Sequence, residues 1–242
     1  MRILIIRHGD PDYEKDSLTE KGWREAKLLA ERISKLDVAT FYCSPLGRAR
    51  DTASVTLEKM NRTAVTCDWL REFPPLINRP DDIEKKKISW DWLPEHWTSE
   101  EAYFLRDQWY ETEIMRDGKV GEAYHGIIHS FDALLAEYGY VREGEYYKVE
   151  RPNRDTIVFF CHFGLECVLL SHLMNVSPMI LWHHTCAVPT AVTTVITEER
   201  RRGKAVFRVN AFGDISHLYA AGEAPAFSAR FCETFDSDER HD

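Results

Sequence analysis

Apolar residues along the chain fall into two rhythms, short β-branched runs and longer stripes at helical spacing, and the two alternate. Ile3-Leu4-Ile5-Ile6 is a run of the first kind and predicts a strand covered on both faces. Leu18-Thr19-Glu20-Lys21-Gly22 opens a helix on which Ala26, Leu29, Ala30 and Ile33 recur, with Leu36 ending the stripe. Ala39–Cys43 reads as a second strand closed by Ser44-Pro45, followed by a helix over 46–60. Ala64–Cys67 reads as a third strand, and Leu70-Arg71-Glu72 lies just past its end.

Residues 73–120 break the pattern with Pro74, Pro75, Pro80 and Pro94, and hold four of the seven tryptophans (90, 92, 97 and 109). Thr98-Ser99-Glu100-Glu101 has the spacing of a capping box. It predicts a helix with Ala102, Leu105 and Trp109 on one face, stopping near Gly118. A second helix is expected over 121–138, carrying Tyr124, Ile127, Ile128, Phe131, Leu134, Leu135 and Tyr138, with Gly139 ending it. Thr156–Cys161 predicts a strand leading through His162 into a helix over 164–175. Runs at Ala191–Ile196 and Ala205–Val209 close a sheet, no internal repeat is present, and the charged tail 236–242 is expected to fray. The alternation predicts an α/β three-layer sandwich with a mostly parallel central sheet flanked by helices. A single domain over 1–242 is expected, with 73–150 as a helical insertion or lid subdomain.

Composition narrows the class. With 242 residues and 44% hydrophobic content the chain can bury a substantial core. A formal net charge of −9 argues against a general nucleic-acid binder but not against a local positive pocket. No apolar stretch reaches about 18 residues, so no membrane span is expected. The start of the chain leaves no room for a signal peptide. Cys43, Cys67, Cys161, Cys167, Cys186 and Cys232 form no CxxC pair and no metal-ligand spacing. They read as reduced core residues of a cytoplasmic protein.

Arg7-His8-Gly9, Ser44–Arg48, Glu72 and His162 all fall at strand-to-loop exits, where α/β sheets bind ligands. In-line phosphoryl transfer needs a nucleophile, charge stabilisation on the equatorial oxygens and a proton for the leaving oxygen. His8 suits the nucleophile if a backbone carbonyl near Gly9 holds one ring N–H. Gly9 would let the reacting groups approach closely. Arg7 and Arg48 would grip phosphoryl oxygens as planar forks. His162 would add a donor or charge opposite, and the N–H groups opening the next helix would face the phosphate. Glu72, raised by partial burial, is the candidate general acid, and Asp51 is expected to orient Arg48 or Arg50. His125 and His129 have metal-ligand spacing but no third ligand, so an ordinary helix face is expected. His183-His184 reads as structural and Lys85-Lys86-Lys87 as a solvated face. The tryptophan-rich stretch reads either as a lid stacking on a leaving group or as a subdomain burying its own aromatics.

In this order the motifs resemble the histidine phosphatase superfamily, the phosphoglycerate mutase-like family, over about 1–72 and 156–212. The resemblance implies a metal-independent, histidine acid-type phosphatase acting on a small phosphorylated molecule, with no cofactor. It also implies a phosphohistidine on His8, a phosphate pocket of Arg7, Arg48 and His162, and Glu72 as acid. Departures accompany it. Asp10-Pro11-Asp12-Tyr13 follows the Arg-His-Gly motif, and Phe73-Pro74-Pro75-Leu76 follows Glu72. Both weigh against glycolytic mutase activity. Phe163 stands where the family has a small residue and would narrow that side of the substrate pocket. A mutase and a non-catalytic phospho-ligand binding module remain the rival readings. No nucleic-acid or membrane partner is expected, and a homodimer fits the resemblance and the aromatic content.

Overall fold

The computed structural model describes residues 1–80, 85–226, 228 and 234. Cys232 and the tail 236–242 lie outside the described residues. Eight strands form one sheet: β1 (Arg2–Arg7), β2 (Thr40–Cys43), β3 (Ala64–Thr66), β4 (Tyr140–Glu143), β5 (Tyr146–Val149), β6 (Thr156–Cys161), β7 (Val192–Arg201) and β8 (Lys204–Asp214). Their order is β3-β2-β6-β1-β7-β8-β5-β4. The half from β3 to β1 is parallel, and β7 onward continues it with antiparallel pairs. The molecule is thus α/β, parallel in the part of the sheet that carries the candidate site.

Strand periodicity splits the core into two. Ile3 and Ile5 of β1, with Ile157, Phe159 and Cys161 of β6, pack on one face with Phe131 and Leu165. Leu4 and Ile6, with Val158 and Phe160, pack on the other with Leu29, Ile33, Ala49 and Ala53. The helices are α1 (Glu20–Ile33), α2 (Gly47–Met60), α3 (Pro94–Trp97), α4 (Glu113–Asp117), α5 (Val120–Glu137), α6 (Phe163–Met174), α7 (Pro178–His184) and α8 (Ser216–Ala221). Layers of α1 and α2 on one side and α5 and α6 on the other make the three-layer sandwich. Each fully buried aliphatic side chain here is worth about 1.5–3 kcal/mol. Thr19 caps α1, its Oγ1 accepting from Gly22 N–H at 3.1 Å.

The helix expected after Thr98 is not continuous. Thr98 ends α3 instead, donating its hydroxyl to the Pro94 carbonyl at 2.7 Å. Short turns at Glu101–Phe104 and Trp109–Glu111 precede α4. Packing explains the break: Tyr103 and Trp109 are buried, whereas Leu105 is exposed. The Ser177 hydroxyl donates to the Tyr103 carbonyl at 2.6 Å, and Trp109 stands edge-on to Trp182 and Tyr124. Tertiary aromatic contacts therefore override the local stripe. The stretch 73–150 also reaches back to the sheet, because α5 covers one face and the β4–β5 hairpin pairs with β8.

Candidate active site

β1, β6 and β2 lie side by side, with Arg7 opposite Cys161 and Phe160 opposite Cys43. The residues that follow, His8, His162 and Ser44, therefore leave the sheet together. His8 N–H donates to the Cys161 carbonyl at 3.0 Å and Ser44 N–H to the Phe160 carbonyl at 2.9 Å, carrying the ladders one step past the strands. The His8 and His162 rings end 5.2 Å apart, tilted by 57°.

His8 is 2% exposed, and its Nδ1 lies 2.8 Å from the Gly9 carbonyl. A carbonyl only accepts, so Nδ1 carries the proton and Nε2 keeps its lone pair. Burial, then the Arg7 and Arg48 charges, hold the imidazole well below its ordinary range, against the opposing Gly9 bond. His162 is buried, with Nε2 2.8 Å from Ser44 Oγ. A Ser44 O–H donating there would put the ring proton on Nδ1, an atom without a partner among the described residues. Burial, then His8 and the two arginines, hold His162 well below its ordinary range too.

Arg7 is buried, and its Nη1 donates to the Ala187 carbonyl at 2.8 Å and the Ser228 carbonyl at 3.3 Å. Arg48 Nη1 donates to Asp16 Oδ1 at 2.7 Å, and its guanidinium lies over Tyr13. The Nε of each arginine is buried without an acceptor among the described residues. Asp51, expected to orient an arginine, instead accepts from the Ser17 hydroxyl at 2.5 Å. The loop before α1 brings Asp16 onto α2, and Asp16 takes that role.

Glu72 also lands here. Its Oε1 accepts from Phe73 N–H at 2.8 Å and Leu165 N–H at 2.9 Å, and its Oε2 from Gly164 N–H at 3.3 Å. Burial raises the carboxyl above its ordinary value, while these bonds and Arg7 pull against the shift. The start of α6, expected to face a phosphate, thus gives its Gly164 and Leu165 N–H groups to Glu72. Gly9 also has a packing role. A Cβ there would stand 3.0 Å from the Gly22 carbonyl, so the glycine seats the loop on α1.

Phe163 is buried at the start of α6 and edge-on to Trp90 at 5.9 Å. Trp92 stands edge-on to Tyr103, and Trp97 stacks on His183 at 4.8 Å. His183 Nε2 accepts from Trp92 N–H at 3.0 Å, which makes it a clasp between α7 and the insertion. His125 packs edge-on against Tyr110, and among the described residues no group of three His, Cys, Asp or Glu could hold a metal ion.

Two further groups went unread in the sequence. Glu166, in the first turn of α6, is 1% exposed, and neither oxygen finds a donor at hydrogen-bonding geometry among the described residues. Burial pushes it up to about 8, with Thr193 and Arg7 drawing it down and Glu72 adding to the rise. Its signal was a lone carboxylate within the apolar run Phe163–Leu170. Thr190 sits at φ 60°, a strained value for a β-branched residue. Its N–H donates to the His8 carbonyl at 3.2 Å, and its hydroxyl is 3.1 Å from His217 Nε2. No sequence motif marks that position.

The chain belongs to the histidine phosphatase superfamily (branch 1), whose sequence profile matches residues 3–210. A probable phosphatase of Schizosaccharomyces pombe is 26% identical over 234 residues, covering 90% of this chain and 95% of that protein. A 2,3-bisphosphoglycerate-dependent phosphoglycerate mutase of Thermoplasma acidophilum is 36% identical over 79 residues, covering 28% of this chain and 40% of the mutase. Among solved structures, a mutant phosphoserine phosphatase of Entamoeba histolytica in complex with phosphoserine superposes with a TM-score of 0.57 at 16% identity, covering 90% of this chain and 98% of that one. A mycobacterial glucosyl-3-phosphoglycerate phosphatase with VO3 gives 0.53 at 18% identity, covering 88% and 98%. At these identities the structural likeness speaks for the fold.

Proposed function

We propose that the protein is a phosphatase hydrolysing a small phosphomonoester through a phosphohistidine on His8. The observation that carries this reading is the His8 ring: Nδ1 is pinned to the Gly9 carbonyl and Nε2 is left with a lone pair beside Arg7, Arg48 and His162. Burial keeps that imidazole unprotonated, as a nucleophile must be.

In the proposed reaction Nε2 attacks phosphorus and the ester P–O bond breaks. Glu72, its carboxyl raised above the ordinary value by burial, gives a proton to the departing alkoxide. Arg7, Arg48 and the His162 Nδ1–H spread the charge on the equatorial oxygens, so the route is written without a metal. Water then attacks the phosphohistidine, the Glu72 carboxylate takes the water proton, and inorganic phosphate leaves with His8 restored. The resting Arg7 contact with the Ser228 carbonyl gives way to a phosphoryl oxygen. Phe163 and Trp90 are proposed to wall the leaving-group side, which gives part of the insertion a lid role.

The test is phosphate release from a panel of phosphorylated metabolites, with isomerised product measured alongside. The wild type is expected to release one phosphate per ester consumed. His8→Ala should abolish release while the fold is kept, and Arg48→Ala should lower kcat by about 10²–10³. Isomerisation without release would make the protein a mutase. Binding without turnover would make it a phospho-ligand module.

A further inference from the structure

The insertion delivers one polar group to Glu72 that neither the proposed reaction nor the aromatic packing uses. Trp92 Nε1 donates to the Ser89 carbonyl at 3.1 Å and Trp182 Nε1 to the Gly164 carbonyl at 2.9 Å. Trp109 Nε1 has no acceptor among the described residues, but its ring is buried edge-on against Tyr110, Tyr124 and Trp182. Trp90 differs in position. Its Nε1 is buried without an acceptor among the described residues, and a Cβ added to Gly164 would lie 2.8 Å from it. The same Cβ would lie 2.6 Å from Glu72 Oε1. Indole N–H and carboxyl thus converge over one glycine, two residues past His162.

The Trp90 backbone is anchored, because its carbonyl accepts from the buried Arg79 Nη1 at 3.2 Å and its ring rests against Phe163. A fixed, dry N–H without an acceptor costs free energy that phenylalanine would spare. Such a donor beside a candidate acid is the kind of convergent polar group that orients a ligand in an aromatic pocket.

We propose that Trp90 is a specificity residue whose indole N–H donates to an oxygen on the alcohol part of the substrate, next to the ester oxygen that Glu72 protonates. The inference rests on the phosphatase reading and narrows it to esters of hydroxylated alcohols over plain alkyl esters. Phe163 supplies the apolar wall on the other side of the indole. A site built to donate to such an oxygen rejects the analogue that lacks it, because the donor is then left unpaired.

The test uses glycerol 2-phosphate and isopropyl phosphate, which share the carbon skeleton at the ester and differ by two hydroxyls. Trp90→Phe keeps an aromatic face, with a smaller ring, and removes the donor. It should lower the ratio of kcat/KM on glycerol 2-phosphate to that on isopropyl phosphate about tenfold, chiefly through KM for glycerol 2-phosphate. Equal loss on both esters, or loss on neither, overturns the proposal. A second readout needs no turnover. In His8→Ala protein, the Trp90 indole N–H resonance, assigned by its absence from the double variant, should shift with glycerol 2-phosphate and not with isopropyl phosphate. Movement with both or with neither contradicts the assignment. If the wild type hydrolyses neither ester nor any of the metabolite panel, the phosphatase reading falls, and the resonance still decides the donor.

Discussion

Glu166 ties the stability of the fold to pH. A carboxyl with an ordinary value near 4.5 is pushed up to about 8 by burial. Across that window the folded chain holds a proton that the unfolded chain has released, so this group makes stability fall as pH rises. The cost is about 1.4 kcal/mol for each pH unit inside the window. Glu166→Gln should therefore match or exceed the wild-type Tm at pH 8 and lose most of that advantage at pH 5. A Tm series over pH checks this, and an advantage that grows toward acid would contradict it. Glu72 makes a separate kinetic prediction. Its raised value means kcat/KM on alkyl phosphates should drop on the alkaline side as the acid loses its proton. Glu72→Gln should remove that limb and slow alkyl esters far more than aryl phosphates. That Arg7, His8, Arg48, Glu72 and His162 gather at one end of the sheet was readable because each lies at or beyond a strand end in motif order. Asp16 was not, because its partner is chosen by a loop path that no local pattern encodes.

Among elements, the loop over 9–18 matters most, since it carries Asp16 to Arg48 and is held on two helices by glycines. A Cβ on Gly22 would overlap the Asp10 carbonyl oxygen, and one on Gly47 the Asp16 carbonyl oxygen. Both clashes are with backbone, which cannot swing aside. Gly47→Ala should cost about 1–3 kcal/mol in urea unfolding and raise KM by shifting Asp16 from Arg48. Unchanged stability and KM would show that the loop does not set the arginine. At this scale α1 was legible from its helical stripe, and α2 and α6 from their places after strand ends. The Thr98 capping pattern misled because α3 begins upstream at Pro94 and makes Thr98 its C-terminal cap. The β4–β5 hairpin was missed although Tyr147 and Val149 are buried and alternate with Tyr146 and Lys148 around a Gly144 turn. Its four-residue strands were masked by the strong helix before them.

At the level of the whole molecule, an acidic chain of net charge −9 collects Arg7 and Arg48 at the ends of its parallel strands. The fold does this by placing two cores on opposite faces of the sheet and leaving the strand ends to the loops. A ligand bound only by the folded state stabilises it, by about 2.7 kcal/mol at a hundredfold excess over Kd. Orthovanadate should raise the Tm of the wild type by several degrees and have little effect on Arg48→Ala. An equal rise in both proteins would place the anion elsewhere.

The central claim is that His8 Nε2 takes the phosphoryl group, and rapid-quench trapping with a 32P-labelled substrate tests it most directly. The account predicts an acid-labile, alkali-stable label on the peptide that contains His8, formed before phosphate release and missing from His8→Ala. Turnover of a good substrate with no label on that peptide, or an equal label in His8→Ala, would contradict it.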